Sequence, residues 1–257
     1  MGNSNPARKV IFKNNQINNN SMKITPNIEI IDLALYLKKE KALIIADSHI
    51  GYEESLNKQG IMIPRTAFKD LIIRLEKILS KVKPEIIIIN GDIKHEFGRI
   101  SETEWRNTLK LIVFLQEHCK NLILIKGNHD KIIGPIADKR KVTITDQIVL
   151  NNTIITHGNK LIKPDKKIKT IIIGHEHPAV SIGDLARKEK YKCFLKGKWK
   201  GRTLIVQPSL KLSSDGTDVT KDRILSPFLK QDLKNFEAFI VADDVYYFGK
   251  LKDIPND

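Results

Sequence analysis

Six of the seven histidines in this chain fall in five short polar clusters: Asp47-Ser48-His49, Gly91-Asp92-Ile93-Lys94-His95, Gly127-Asn128-His129-Asp130, His157-Gly158 and Gly174-His175-Glu176-His177. Each directly follows an aliphatic run, at residues 42–46, 86–89, 122–125, 154–155 and 171–173. In an open α/β sheet, ligands bind beyond the carboxyl ends of the strands. The pattern therefore predicts five strand ends delivering His, Asp and Asn to one place. Imidazole nitrogen with carboxylate or amide oxygen, and no thiolate, suits a divalent ion such as Mn, Fe, Zn, Co or Ni. Seven candidate ligands are too many for one tetrahedral ion and match two ions sharing a carboxylate. Such a pair, roughly 3.5 to 4 Å apart, acidifies a bridging water for in-line attack at phosphorus and spreads the charge on the phosphate oxygens.

The ordered series Asp-x-His, Gly-Asp, Gly-Asn-His-Asp, His, Gly-His-x-His resembles the calcineurin-like metallophosphoesterases. That resemblance implies one ion on Asp47, His49, Asp92 and His177, and a second on Asp92, Asn128, His157 and His175, with Asp92 bridging. It also implies His129 as an acid near the ions, oriented by Asp130, and two divalent ions of which Mn is the first expectation. The stretches Ala46-Asp47-Ser48-His49-Ile50-Gly51-Tyr52-Glu53, Gly91-Asp92-Ile93-Lys94-His95-Glu96-Phe97-Gly98, Gly216-Thr217-Asp218-Val219 and Leu225-Ser226-Pro227-Phe228 are similar to a prokaryotic, largely archaeal, branch related to the SbcD-type DNA-repair nucleases. They are also similar to the metallophosphoesterases associated with DNA-repair ligases. In the repair nucleases Gly-Asp-x-x-His places its last His toward the phosphate. This assigns His95 to substrate contact, the other reading being a histidine that orders the Asp92 loop.

The clusters must be positioned by alternating strands and helices. Residues 66–82 carry Leu71, Ile72, Leu75, Ile78 and Leu79 at helical spacing. Residues 101–119 repeat the signal, with Ser101 as N-cap and Glu104 completing a capping box. Strands alternating with helices up to Ile125 predict a parallel segment. Beyond Lys141 the signals turn β-rich, over 141–150, 153–156, 169–173, 190–196, 203–206 and 236–251, with a hairpin at Asp243-Asp244. Two β layers between helices satisfy this order, and the resemblance implies a four-layer α/β/β/α sandwich of two mixed sheets. Residues after His177 are expected to complete the second sheet rather than form a cap domain.

The chain has 257 residues, 41% of them hydrophobic, enough for one substantial core. Motifs spread over 130 residues need a single domain, expected over 24–257. Residues 1–23 hold seven Asn and no periodic apolar face, which predicts a disordered tail and leaves Met22 as an alternative start. Cys119 and Cys193 fit no disulfide or metal framework, and no apolar run has the length of a membrane span, so a cytoplasmic protein is expected.

Forty-four basic against thirty acidic residues give a formal charge of +14, which favours polyanion partners; a Lys-rich compositional bias is the alternative. Lys190, Lys192, Lys196, Lys198, Lys200 and Arg202 occupy even positions, with Tyr191, Cys193, Leu195 and Trp199 at odd ones. Strand side chains alternate faces, so this reads either as a basic ribbon for phosphate backbones or as a solvated edge strand that resists aggregation. Tyr52, Glu53 and Arg65 lie in a connection where selectivity is often placed.

The expected activity is hydrolysis of phosphodiester bonds in nucleic acid or nucleotides, in a DNA-repair setting with a helicase or ligase partner. Alternatives are a phosphatase or cyclic-nucleotide phosphodiesterase on small substrates, and a non-catalytic binding scaffold.

Overall fold

The computed structural model describes residues 21–97, 101–183 and 188–254. Residues 1–20, with most of the expected tail, lie outside these, as does Gly98. Ser21–Lys23 belong to the fold rather than the tail. They form strand β1, antiparallel to β2 (Ile28–Ile31), because Met22 pairs with Ile30 and packs on the core.

The first sheet has seven strands in sequence order. It opens as an antiparallel meander of β1, β2, β3 (Ala34–Leu37) and β4 (Ala42–Ile45), and continues in parallel through β5 (Ile86–Asn90), β6 (Asn121–Ile125) and β7 (Thr143–Thr145). Parallel neighbours need crossovers, and the helices supply them: α1 (Tyr52–Lys58), α2 (Ala67–Leu79), α3 (Glu102–Gln116) and α4 (Gly134–Arg140). Leu71, Leu75 and Ile78 of α2, with Leu111, Ile112 and Leu115 of α3, bury the predicted apolar stripes.

The second sheet runs β14–β11–β12–β13–β10–β9–β8, with β15 pairing β12 and β16 at its side. Its strands are β8 (Gln147–Leu150), β9 (Thr153–Thr156), β10 (Thr170–Ile173), β11 (Pro178–Gly183), β12 (Lys188–Trp199), β13 (Arg202–Val206), β14 (Thr217–Asp218), β15 (Glu237–Val241) and β16 (Val245–Lys250). The turn at Asp243-Asp244 joins β15 to β16 as expected.

Two-residue periodicity divides this sheet between two cores. Ile155, Ile172, Phe194, Ile205 and Phe239 join the core shared with the first sheet, while Ile154, Ile171, Ile173, Cys193, Leu195, Leu204, Val206, Ala238 and Ile240 join the outer one. Two mixed sheets thus pack face to face with helices flanking the first. The outer core of the second is closed, among the described residues, by the 3-10 turns Pro227–Leu229 and Leu251–Asp253, which bury Phe228, Leu229 and Leu251. No helix among the described residues is long and apolar enough to cross a membrane.

Candidate metal centre

All five polar clusters emerge from the carboxyl ends of strands: Asp47 and His49 after β4, Asp92 and His95 after β5, Asn128 and His129 after β6, His157 after β9, and His175 and His177 after β10. β4, β5 and β6 are parallel in one sheet and β9 and β10 parallel in the other, so the two sheets open onto the same crevice. The backbone is strained there. Asp47, His49, Asp92, His175 and His177 all hold positive φ between 44° and 64°, a conformation that L-residues adopt at a cost of about 1–3 kcal/mol when surrounding structure enforces it.

The side chains converge in two groups that mix carboxylate with imidazole, Asp47–His49–His177 and Asp92–His157–His175, and in a third of imidazoles alone, His49–His95–His129, which shares His49 with the first; in each, the ligand atoms lie within 4.8 Å of one another. Asp92 stands between the two mixed groups: its Oδ2 lies 3.7 Å from His49 Nε2 and 3.4 Å from His157 Nε2. Asn128 joins the second group, its Oδ1 3.0 Å from His157 Nε2. Buried Asp47 Oδ1 has no hydrogen-bond partner, yet faces His157 Nδ1 at 3.6 Å and His177 Nε2 at 3.5 Å. A buried carboxylate oxygen among imidazoles, too far from them for good hydrogen bonds, is a place for cations. The nitrogen and oxygen donors fit two divalent ions, one in each mixed group, with Asp92 reaching both.

The glycines are explained by the ligands. A Cβ on Gly127 would stand 2.0 Å from Asp92 Oδ1, and one on Gly91 2.1 Å from His157 Nδ1. Only hydrogen fits at these positions.

Burial and mutual charge set the protonation. Burial and neighbouring His177 push His49 down to about 2; burial, then His157, pushes His175 to about 4. Burial opposes the charge on His157, but its bond to Asp92 and the charges of Asp47 and Asp92 prevail and raise it to about 9. Burial would raise Asp92, yet His157 and His49 hold its carboxyl well below the usual range. An ionised Asp92 beside neutral His49 and His175 is in the form that coordination requires, whereas His157 carries a proton that balances Asp47 and Asp92 and that an ion would have to displace.

His129 and His95 stand at the edge of the centre. The His129 amide donates to Asp92 Oδ1 at 2.8 Å, and its Nε2 lies 3.9 Å from Asp92 Oδ2. Its Nδ1 donates to the His95 carbonyl, which fixes the tautomer. Asp130 does not orient it. That carboxylate turns back to accept from Gly127 N at 2.9 Å, and burial raises it to about 6, so Asp130 holds the loop shape while the His95 carbonyl directs the His129 ring. Phe97 lies over His129 with ring centroids 3.7 Å apart. His95 packs against Tyr52 and places Nδ1 3.4 Å from His49 Nδ1.

Two positioning carboxylates carry little signal in the sequence. Glu104 does not close the expected capping box. Ser101 Oγ accepts from Glu104 N at 3.1 Å, but the Glu104 carboxylate accepts from His95 N at 2.8 Å and Glu96 N at 2.9 Å. Glu176, between two candidate ligands, faces away and accepts from Leu225 N and Ser226 N at 3.0 and 2.7 Å. Lys211 belongs to no motif in the sequence either. It comes after β13, a sixth strand end at the crevice, where its amide donates to Asp47 O at 3.1 Å.

A family profile for calcineurin-like phosphoesterases matches residues 41–194. The chain belongs to that family. Pseudomonas putida nuclease MPE is similar in structure at TM-score 0.60 and 19% identity, over 89% of this chain and 98% of the nuclease, and it shares the fold. Yfce, a phosphoesterase from E. coli, aligns at TM-score 0.37 and 16% identity over 66% of this chain and 79% of its own. No curated protein matches the chain.

The lysine series does not form one free basic face. β12 is covered on both sides, so Phe194, at an even position, is buried. Lys192 turns inward and donates to the Ser209 and Lys211 carbonyls at 2.8 and 2.6 Å. Lys196 pairs with Glu237 at 2.7 Å, Lys190 lies 3.5 Å from Asp222, and Arg202 donates to Ile168 O at 3.1 Å. Lys198 and Lys200 are exposed, Lys200 lying over the Trp199 ring at 4.8 Å.

Proposed function

We propose that this chain hydrolyses phosphodiester bonds in nucleic acid or nucleotides, using two divalent ions. The observation that carries the reading is the position of Asp92 between two His/Asp groups, with the His129 ring beside it. Asp47, His49, Asp92 and His177 would hold one ion, and Asp92, Asn128, His157 and His175 the other. Bound ions supply an acidified water as nucleophile and charge relief at the phosphate. The chain's own residues do the rest. With Nδ1 committed to the His95 carbonyl, His129 keeps Nε2 for a proton destined for the leaving oxygen. His95, held through its amide by Glu104, would contact a phosphate oxygen. Manganese is the first candidate metal. A cytoplasmic DNA-repair setting with a helicase or ligase partner remains part of the proposal, supported by the charge of +14 and by the nuclease activity named for the Pseudomonas putida protein.

A second reading, hydrolysis of small phosphoesters, is favoured by the internal contacts that occupy Lys190, Lys192, Lys196 and Arg202. A binding scaffold with a dead centre is disfavoured, since every expected ligand position is filled. The purified protein, tested with Mn, Ni, Co, Zn and Mg, should cleave bis-p-nitrophenyl phosphate faster than p-nitrophenyl phosphate and should cut single- or double-stranded DNA or RNA. Neutralising the two exposed cations of the series, Lys198 and Lys200, should weaken nucleic-acid binding and flatten its slope against log salt by roughly 0.7 to 0.9 for each phosphate that is no longer neutralised. Hydrolysis of p-nitrophenyl phosphate alone would move the assignment to small monoesters.

A further inference from the structure

A cavity of about 340 Å³ lies beside the centre, walled by His49, Tyr52, Phe68, Arg106, Asn107 and Lys211 among others. Ligand pockets start at roughly 300 Å³. It adjoins the first ion group directly, because His49 is both wall and candidate ligand and the Lys211 amide is bonded to the Asp47 carbonyl.

Its chemistry is cationic and aromatic. The Lys211 ammonium sits 3.2 Å from the centroid of the Tyr52 ring, and no carboxylate among the described residues pairs with it or with Arg106. The two acidic wall residues are engaged by other residues of the wall: Glu53 accepts from Ala67 N at 3.1 and 3.2 Å, and Glu54 lies 3.2 Å from the Arg65 guanidinium. Unpaired cations beside half-buried rings suit an anion carried on a flat, partly apolar body, because base–aromatic contacts tolerate any base and the cations select the phosphate.

We propose that this cavity holds the nucleotide unit next to the scissile phosphodiester, its sugar and base against Phe68 and its far phosphate on Lys211, held over the Tyr52 ring, and on Arg106. The proposal rests on the phosphodiesterase reading above and adds to it a requirement for a second phosphate. A substrate anchored this way is a short strand or strand end, and a lone diester lacks half of the contacts.

The test is calorimetric titration of dithymidine dinucleotides bearing no terminal phosphate, a 5′-phosphate or a 3′-phosphate, in chelator so that nothing is cleaved. One terminal phosphate should tighten binding to the wild type roughly tenfold, about the worth of one charge-assisted hydrogen bond. Lys211→Met with Arg106→Gln should abolish that gain, and Lys211→Arg should retain it. Arg106 is exposed on α3, so Arg106→Gln alone keeps the test available if the double variant does not fold. Equal affinity for all three dinucleotides, or a gain that survives in Arg106→Gln and the double variant, overturns the proposal. Metal-dependent hydrolysis of bis-p-nitrophenyl phosphate, measured alongside, separates the two claims. If it is absent while the phosphate gain is present and sensitive to the variants, the cavity stands and the reaction falls; the reverse pattern removes the cavity alone.

Discussion

Glu104 should matter to both stability and turnover, although it touches no candidate ion ligand. Its side chain is fully buried, and its Oε1 alone accepts the amides of His95 and Glu96 at 2.8 and 2.9 Å. Glu104→Ala would leave two amide donors facing a void. At about 1–3 kcal/mol for each unsatisfied donor, and with the packing against Gly51 removed, the cost should be about 3–6 kcal/mol. Glu104→Gln keeps one acceptor oxygen but loses the charge and puts an amide donor where the buried Oε2 has no partner, so it should cost about 1–3 kcal/mol, less than the alanine variant. The same segment carries the carbonyl that holds His129 Nδ1. Loosening it should therefore lower kcat by roughly ten- to hundredfold, the scale of a misplacement near 1 Å. Metal content should stay normal, because no ion donor changes. Denaturant unfolding, elemental analysis and bis-p-nitrophenyl phosphate kinetics on the two variants measure all three quantities. An Ala variant within about 0.5 kcal/mol of wild type and with unchanged kcat would refute the reasoning.

His129→Asn should retain metal while losing roughly a hundredfold or more in kcat, as expected for a general acid; unchanged turnover would exclude the role. Burial, then the charges of Arg74 and Lys211, pushes Lys192 down to about 7 against an ordinary 10.5. Between those values the unfolded chain binds more protons than the folded one, so Lys192 makes stability rise with pH from about 7 toward 10.5. The melting temperature of the wild type relative to Lys192→Met should climb between pH 7 and pH 10; a flat difference would contradict the burial.

The centre was legible because its chemistry is written in short, ordered clusters, each fixed to a strand end by an Ile-rich run. The Ser101 cap, the stripes of α2 and α3 and the 243–244 turn were legible for the same reason: local spacing dictates local geometry. What escaped depends on partners distant in sequence. Asp130 reads as the support of His129, yet the carbonyl of His95, 34 residues away, takes that place. Glu104 reads as a cap and is drawn to a loop instead. β12 reads as a two-faced ribbon, but contacts on both sides bury Phe194 and fold Lys192 inward. The β1–β3 meander carried no motif, and its strands are held by the register of one pair on the next rather than by any marked residue.

Metal stoichiometry tests the two-ion account most directly. Calorimetric titration of the chelator-stripped protein with Mn, checked by elemental analysis after gel filtration, should give two ions per chain. Asp92→Ala should bind neither or retain one weakly, and His157→Ala should lose the second. Saturation of the wild type at a single ion, with His157→Ala unchanged in metal content, would contradict a shared Asp92 and the centre built around it.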